Sequence, residues 1–158
     1  SHFGVARDLL AVLKHKGLVD VNAKLNEKIT DFKVDKQNLN IPVVVENQEA
    51  CPRYCGVTIT NVKIAESPDW LKNKLRSIGL KPLNNVVDIT NYILHDLGQP
   101  LHAFDADEIA GNSVFVKTLP NISPFVTLDE VESKLNQNDL MICNQEGGMC
   151  IAGVFGGL

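Results

Sequence analysis

Residues 113–119, Ser-Val-Phe-Val-Lys-Thr-Leu, are rich in β-branched and aromatic side chains and predict a β-strand. Further short strands are predicted on either side of it, at residues 42–45, 57–62, 125–128, 131–135, 140–143 and 149–155. The pair 125–128 and 131–135 is expected to form a hairpin around Asp129 and Glu130. Because these short strands enclose two helices, they predict an α+β fold. Several short sequential strands favour a barrel or a sandwich, and we expect a β-barrel-like core of mostly antiparallel strands with peripheral helices.

The two helices are predicted between residues 62 and 113. Residues 67–69, Ser-Pro-Asp, are typical of a helix start with the serine as cap, and Gly79 is expected to end that helix. Residues 86–97 form the second predicted helix, which is capped by Asn84 or Asn85 and stopped by the glycine that follows it.

The first 40 residues have a different character. Residues 1–16 predict a helix with Ser1 as cap and Gly17 as stop, and residues 19–40 predict a connector with little regular structure, or a strand pair. We expect residues 1–18 to be a helix from the end of a preceding module, 19–40 a connector, and 41–158 the main domain, truncated at its C-terminus. Residues 154–158 are apolar and glycine-rich, without the polar tail usual for a natural terminus, so we expect an excised fragment.

The composition indicates an ordinary soluble domain. The chain has 158 residues, 44% of them apolar, and 15 Lys and Arg against 19 Asp and Glu give a net charge of −4. The sequence has neither a run of roughly 20 apolar residues nor a signal-peptide pattern, so a cytoplasmic location is expected. The negative balance argues against nucleic-acid binding through bulk charge, because neutralising phosphates requires clustered Lys and Arg. Any RNA contact would have to be local.

The four cysteines allow two interpretations. Cys51 and Cys55 form C-x3-C, and six residues separate Cys143 from Cys150, so a zinc-binding interaction module is a weak alternative. Neither spacing is the tight C-x2-C of a zinc knuckle, and Cys143 lies in an apolar run typical of a buried strand. Buried free thiols are therefore favoured, and no metal is expected.

Familiar catalytic motifs are missing: the sequence contains no G-x-S-x-G, no Walker loop and no H-E-x-x-H. Four other segments carry a resemblance instead, namely residues 51–54 (Cys-Pro-Arg-Tyr), 85–92 (Asn-Val-Val-Asp-Ile-Thr-Asn-Tyr), 98–105 (Gly-Gln-Pro-Leu-His-Ala-Phe-Asp) and 151–157 (Ile-Ala-Gly-Val-Phe-Gly-Gly). In this order they resemble the β subunit of bacterial phenylalanyl-tRNA synthetase, from about Ser1 to Leu158.

The resemblance implies that residues 41–158 are the editing domain of that family, which hydrolyses tyrosine wrongly attached to tRNA(Phe) by water-mediated ester cleavage. It implies no cofactor in this segment, with ATP and Mg²⁺ bound elsewhere in the full enzyme. The implied partners are the tRNA(Phe) acceptor end and the α subunit of an α2β2 synthetase.

The resemblance also implies a set of site residues. His102 and Gly156 would be catalytic, Thr90, Asn91, Pro100, Lys81 and Gly157 would bind substrate, and Lys72 and Arg76 would contact tRNA. Each has a structural alternative. His102 could be a core histidine, Thr90 and Asn91 could bond their own helix, and the glycines could only form a tight turn. Pro100 could fix the backbone beside His102, and the two basic residues could lie on a solvated helix face.

Two departures from the family are visible. Glu130 stands where relatives commonly have glycine after Asp129, so the hairpin turn could differ. The acidic residue that recognises the tyrosine hydroxyl in the family lies past Leu158, so the fragment is expected to be incomplete on its own. The competing hypothesis is a non-catalytic tRNA-docking or structural module of the same subunit.

Overall fold

The computed structural model describes residues 1–25 and 32–158. The chain divides into two compact units, one made of Ser1–Asp35 and Lys63–Ala103 and the other of Lys36–Val62 and Phe104–Leu158. Residues 19–25 and 32–40 of the predicted connector contain no helix or strand, and residues 26–31 lie outside the described residues. The division into modules at residues 18 and 40 stays a prediction.

The first unit contains three helices, α1 (His2–His15), α2 (Asp69–Ser77) and α3 (Asn85–Leu97). The predicted ends of α1 are confirmed: the Ser1 hydroxyl accepts a hydrogen bond from the Gly4 amide at 3.0 Å, and Gly17 adopts a left-handed φ of 66°. The ends of α3 are confirmed as well, because Asn84 caps it and Gly98 follows it with φ 82°. These ends follow from local backbone chemistry, which is why the sequence predicts them.

The start of α2 differs from the prediction. Pro68, not Ser67, occupies the cap position, and no side chain caps this helix. Ser67 is buried and its hydroxyl donates instead to Asp88 in α3, at 2.5 Å. Local sequence preference predicts that the Ser67 hydroxyl bonds the first amides of α2. In the fold it bonds Asp88 instead, which lies 21 residues further along the chain.

The second unit contains seven strands, β1 (Val43–Val45), β2 (Val114–Thr118), β3 (Pro124–Val126), β4 (Glu132–Lys134), β5 (Leu140–Cys143), β6 (Gly148–Ile151) and β7 (Phe155–Gly156), in its described residues. Five of them form one sheet in the order β1-β2-β5-β6-β7, and β3 and β4 form the predicted hairpin. Only the β1–β2 pair is parallel. The α+β class and the mostly antiparallel strands are confirmed. The five-stranded sheet runs from β1 to β7, and an antiparallel bridge between Thr127 and Gly157 joins the hairpin to its β7 end, so the described strands form a barrel-like core without a closed ladder.

Both faces of β5 are buried. Ile142 belongs to one apolar cluster, with Ile109, Val114 and Cys150, whereas Met141 and Cys143 belong to a second cluster with Phe125 and Leu135. Successive residues of a strand point to opposite faces, so an uninterrupted apolar run requires cover on both sides. The run 140–143 meets that requirement here.

Two strand predictions were wrong. Residues 57–62 form no strand and are exposed, because no other strand of the described residues pairs with them. The predicted strand 149–155 is two strands, since Gly153 turns the chain with φ 71° and the Val154 amide donates to the Ile151 carbonyl at 3.0 Å. The β-branched composition of a segment reports its preference for extended backbone, and pairing requires a neighbour that composition does not reveal.

The cysteines are free, and they differ in burial. Cys143 and Cys150 are buried, as predicted, whereas Cys51 is half-buried and Cys55 is exposed in a loop without regular structure. The prediction of burial was therefore wrong for Cys55.

Among the described residues, no helix is both long enough and apolar enough to cross a lipid bilayer.

The hairpin turn places Glu130 in the left-handed region, with φ 63°. This conformation costs an L-residue with a Cβ roughly 1–2 kcal/mol, whereas glycine adopts it freely. Glu130→Gly is therefore expected to raise the free energy of unfolding by about 0.5–1 kcal/mol after the extra unfolded-state entropy of glycine is subtracted. Urea unfolding measures the change. Glu49→Gly is the control, because Glu49 has no positive φ. An equal or lower stability for Glu130→Gly would contradict strain at this turn.

Candidate functional site

The first turn of α3 fastens the helix to the extended segment before α2. Asn84 accepts hydrogen bonds from the amides of Val86 and Val87. The next residue, Asn85, pairs with Ala65 and Lys63: its side-chain oxygen accepts from the Ala65 amide at 3.1 Å, and its side-chain nitrogen donates to the Lys63 carbonyl at 3.0 Å. Asn85, which opens the 85–92 motif, and Asn84, which precedes it, therefore both have structural partners.

Asp88 lies at the centre of this arrangement and is 0% exposed. Its carboxyl group accepts from the Ser67 hydroxyl at 2.5 Å and from the Leu83 amide at 2.9 Å. Leu71 and Leu75 of α2 are also almost fully buried in this unit. Sequence reasoning missed this role. The available signal was an acidic residue inside an otherwise apolar run, which indicates a buried and hydrogen-bonded carboxyl group.

Thr90 and Asn91 follow on the same helix and are half-buried. The Thr90 hydroxyl donates to the Val87 carbonyl at 2.8 Å, within its own helix turn. Threonine commonly makes such a bond, which satisfies its hydroxyl without a ligand. The structural alternative is thus observed for Thr90, and the substrate roles of both residues stay predictions.

His102 and Pro100 lie in the irregular segment that follows Gly98. Pro100 is exposed, and its carbonyl accepts from the Gln99 side chain at 3.2 Å. His102 is exposed, and the partial burial of its imidazole lowers its pKa below the ordinary value. Desolvation disfavours the charged form, so the lowered pKa favours the neutral ring. A neutral imidazole can accept a proton.

The basic residues of α2 are not equally available. Lys72 forms ion pairs with Glu66 at 2.6 Å and with Asp69 at 2.9 Å, and only 14% of its side chain is exposed. The hydrogen bond to Glu66, followed by that to Asp69, raises the pKa of Lys72. Arg76, one turn later, and Lys81 are exposed. The charge of Lys72 is therefore already paired with two carboxylates. The contact of Lys72 and Arg76 with tRNA stays a prediction.

Gly156 and Gly157 lie in the second unit. Gly156 is buried in β7, and its carbonyl accepts from the Leu128 amide at 3.0 Å. The Gly157 amide donates to the Met149 carbonyl at 2.8 Å. A Cβ atom at Gly157 would lie 2.7 Å from ring carbons of Phe125, so this glycine allows close packing of the backbone on an aromatic ring. Because its amide is already bonded, Gly157 has a structural role whether or not it also meets a ligand.

The predicted site residues fall in both units. Those of the first unit are Lys72, Arg76, Lys81, Thr90, Asn91, Pro100 and His102, and those of the second are Gly156 and Gly157. Their grouping in one pocket stays a prediction. In residues 1–25 and 32–158, no three His, Cys, Asp or Glu side chains come together as a possible metal site.

The first unit also contains a cleft of about 320 Å³ that sequence reasoning did not predict. It is lined by His2, Lys74, Leu75, Ser77, Ile78, Tyr92, His95 and Asp96, and thus by none of the predicted site residues. Tyr92 makes an edge-to-face contact with Trp70, with ring centroids 5.7 Å apart, and the Lys74 ammonium lies 5.8 Å from the Tyr92 centroid. The helical spacing of Trp70 and Lys74 was a signal for this surface, although nothing in the sequence brought Tyr92 to it.

The fold and the motifs at residues 98–105 and 151–157 can be compared with those of known protein families. Residues 50–158 match the B3/4 domain, and the chain belongs to that family. Over its whole length it is 64% identical to the phenylalanine–tRNA ligase beta subunit of Bacteroides thetaiotaomicron and 54% identical to that of Porphyromonas gingivalis. It is 41% identical to the subunit of Salinibacter ruber over 99% of its residues. The chain spans 19% of the length of the first two relatives. The resemblance noted from the motifs is confirmed.

Proposed function

We propose that this chain is the part of a phenylalanine–tRNA ligase β subunit that hydrolyses tyrosine wrongly attached to tRNA(Phe). The observation that carries the proposal is the 64% identity to such a subunit along all of the chain, together with the B3/4 domain match. In the complete enzyme the partners would be the α subunit, in an α2β2 assembly, and the acceptor end of tRNA(Phe). ATP and Mg²⁺ would act outside this chain.

Such a ligase needs a second site for a physical reason. A pocket shaped for a phenylalanine ring cannot strongly reject a ligand that adds one hydroxyl group. A separate site that hydrogen-bonds this hydroxyl rejects the molecule without it by about 10⁴–10⁵-fold, because its polar groups would otherwise be left unpaired. Tyrosine can therefore be removed after attachment while phenylalanine is spared.

In the proposed reaction His102 holds the attacking water. Burial lowers the pKa of its ring and so favours the neutral imidazole, which can accept a hydrogen bond from water and orient the oxygen towards the ester carbonyl. Gly156 would let the main chain approach the substrate ester closely, as glycine does where a backbone meets a ligand. Thr90, Asn91, Pro100, Lys81 and Gly157 would complete the binding site.

The test is deacylation of Tyr-tRNA(Phe) by the full enzyme carrying His102→Ala or Gly156→Val. Loss of a group that positions water for proton transfer is expected to lower the rate of tyrosine release by about 100-fold. Aminoacylation with phenylalanine should continue, which shows that the enzyme is folded. His95→Ala is the matched control, since it removes a second exposed histidine of the same unit.

If both variants release tyrosine at the parental rate, the site assignment is wrong. If the parent enzyme binds tRNA(Phe) but never releases tyrosine faster than water alone does, the chain is a tRNA-docking module instead of an esterase.

A further inference from the structure

We propose that Cys55 is a reactive thiol that hydroperoxides oxidise, and that Cys51 then resolves the product into a Cys51–Cys55 disulfide. The proposal concerns residues outside the predicted editing site and does not depend on the proposed function. It rests on the contacts of one short loop, residues 51–55, Cys-Pro-Arg-Tyr-Cys.

Tyr54 anchors this loop to the second unit. Its half-buried ring packs on the cluster formed by Ile109, Val114, Ile142 and Cys150. Burial raises the pKa of Tyr54 to about 12, so the phenol stays neutral. Around this anchor the loop has no helix or strand, Arg53 and Cys55 are exposed, and Cys51 is half-buried. The anchor holds the loop in place and leaves the Cys55 sulfur open to small solutes.

Both sulfur atoms of the loop lie against Arg53. The Nε–H of Arg53 donates to the Cys55 Sγ at 3.3 Å, and the Cys51 Sγ donates to the Arg53 carbonyl oxygen at 3.4 Å. A guanidinium group is always charged in proteins, so Arg53 places a fixed positive charge and an N–H donor against the exposed Cys55 sulfur. Cys55 has this neighbour on its side chain, whereas Cys51 meets only a backbone carbonyl. Cys55 is therefore the sulfur that reacts first.

The other two cysteines provide a contrast within the same unit. Cys143 and Cys150 are buried, and burial raises the pKa of both thiols, that of Cys150 to about 11. Buried thiols whose pKa is raised by desolvation are inert towards oxidants in solution. Reactivity should consequently be confined to the loop.

The reaction balances with a hydroperoxide as the oxidant. The Cys55 thiolate attacks one peroxide oxygen, so that an S–O bond forms, the O–O bond breaks, and the departing hydroxide or alkoxide takes up a proton. Sulfur is oxidised to sulfenic acid and the hydroperoxide is reduced. The Cys51 sulfur next attacks the Cys55 sulfur: the S–S bond forms, the S–O bond breaks, and hydroxide leaves as water with the proton of the Cys51 thiol.

The second step requires the two cysteines to approach each other. A disulfide needs Cα atoms about 4.4–6.8 Å apart. Both sulfur atoms already contact atoms of Arg53, the residue midway between the two cysteines in the chain. Residues 51–55 lie in no helix or strand, and forming the disulfide replaces the two sulfur contacts with Arg53. Closing the loop is thus compatible with the Tyr54 anchor.

The experiment treats the full-length protein with hydrogen peroxide and maps its cysteines by proteolysis and mass spectrometry. The parent is expected to show a Cys51–Cys55 link. Cys51→Ser is expected to accumulate a sulfenic acid at Cys55, which dimedone labels, and Cys55→Ser should leave Cys51 reduced at the same dose. Iodoacetamide should alkylate Cys55 about tenfold faster than Cys51 at neutral pH.

Arg53→Gln tests the cause of the reactivity. It should lower the alkylation rate of Cys55 several-fold, whereas Lys36→Gln, which removes an exposed charge from the same unit, should not. The proposal is overturned if the parent forms no link, if dimedone labels Cys51 in Cys55→Ser, or if Arg53→Gln reacts as fast as the parent.

Discussion

Replacing Asp88 with alanine is expected to lower the free energy of unfolding of the first unit by about 2–5 kcal/mol. The carboxyl group is 0% exposed and accepts from the Ser67 hydroxyl and the Leu83 amide. Alanine leaves both donors without an acceptor, at a cost of about 1–3 kcal/mol for the buried Ser67 hydroxyl and less for the amide of the largely exposed Leu83. Since Ser67 precedes α2 and Leu83 precedes α3, the loss also loosens the connection between these helices.

Urea unfolding followed by helical circular dichroism measures this loss. Asp88→Asn should fall between the parent and Asp88→Ala, because its amide oxygen can still serve one of the two donors. The matched control is Asp96→Ala, which removes another carboxylate from α3, near the helix end, where a negative charge is unfavourable. Unfolding of Asp88→Ala at the parental urea concentration would mean that the two hydrogen bonds contribute nothing.

Replacing Gly157 with alanine is expected to destabilise the second unit by about 1–3 kcal/mol, the usual cost of an extra methyl group in a packed core. The new Cβ would lie 2.7 Å from two ring carbons of Phe125 and 2.9 Å from the Met149 carbonyl oxygen. That carbonyl cannot move away easily, because it accepts the Gly157 amide at 2.8 Å. Phe125 is itself buried against Met141, so its ring has little room to rotate.

Gly147→Ala is the matched control, because a Cβ atom at Gly147 meets no atom within 4 Å. Denaturant unfolding of both variants separates crowding from the general effect of replacing a glycine. Measuring tyrosine release by the full enzyme distinguishes the two roles of Gly157. A variant with parental stability and lost hydrolysis would assign it to the substrate site, and the reverse result would assign it to packing alone.

How far the sequence predicts this fold depends on how local the cause is. Asn84 and Gly98 delimit α3 as predicted, because a cap and a left-handed stop involve only backbone groups within one turn. Ser67 has the same chemistry, yet Asp88 captures its hydroxyl, and that competition exists only after folding. Residues 57–62 have the composition of a strand and lack a partner in the described chain.

In the candidate site, too, the sequence predicts what depends on neighbouring residues and not what depends on distant contacts. The motifs identify the family, since residue order alone carries that information. They do not separate ligand contacts from packing: Thr90 bonds its own helix, and Gly157 makes room for Phe125. Arg53 and Cys55 are two residues apart, so the sequence already indicates a cation close to a cysteine. It does not indicate that the Cys55 side chain is exposed, and the proposed reactivity depends on that exposure.

The paired state of Lys72 has a consequence for the thermodynamics of any polynucleotide bound along α2. A cation that neutralises a phosphate displaces about one condensed counterion, and this release makes affinity fall with salt. An ammonium group already held by Glu66 and Asp69 gains no such release unless those carboxylates give it up. The dependence of affinity on ionic strength would then be governed by Lys74 and Arg76, and the logarithmic slope would be shallower by about one ion than the count of basic residues in this helix suggests.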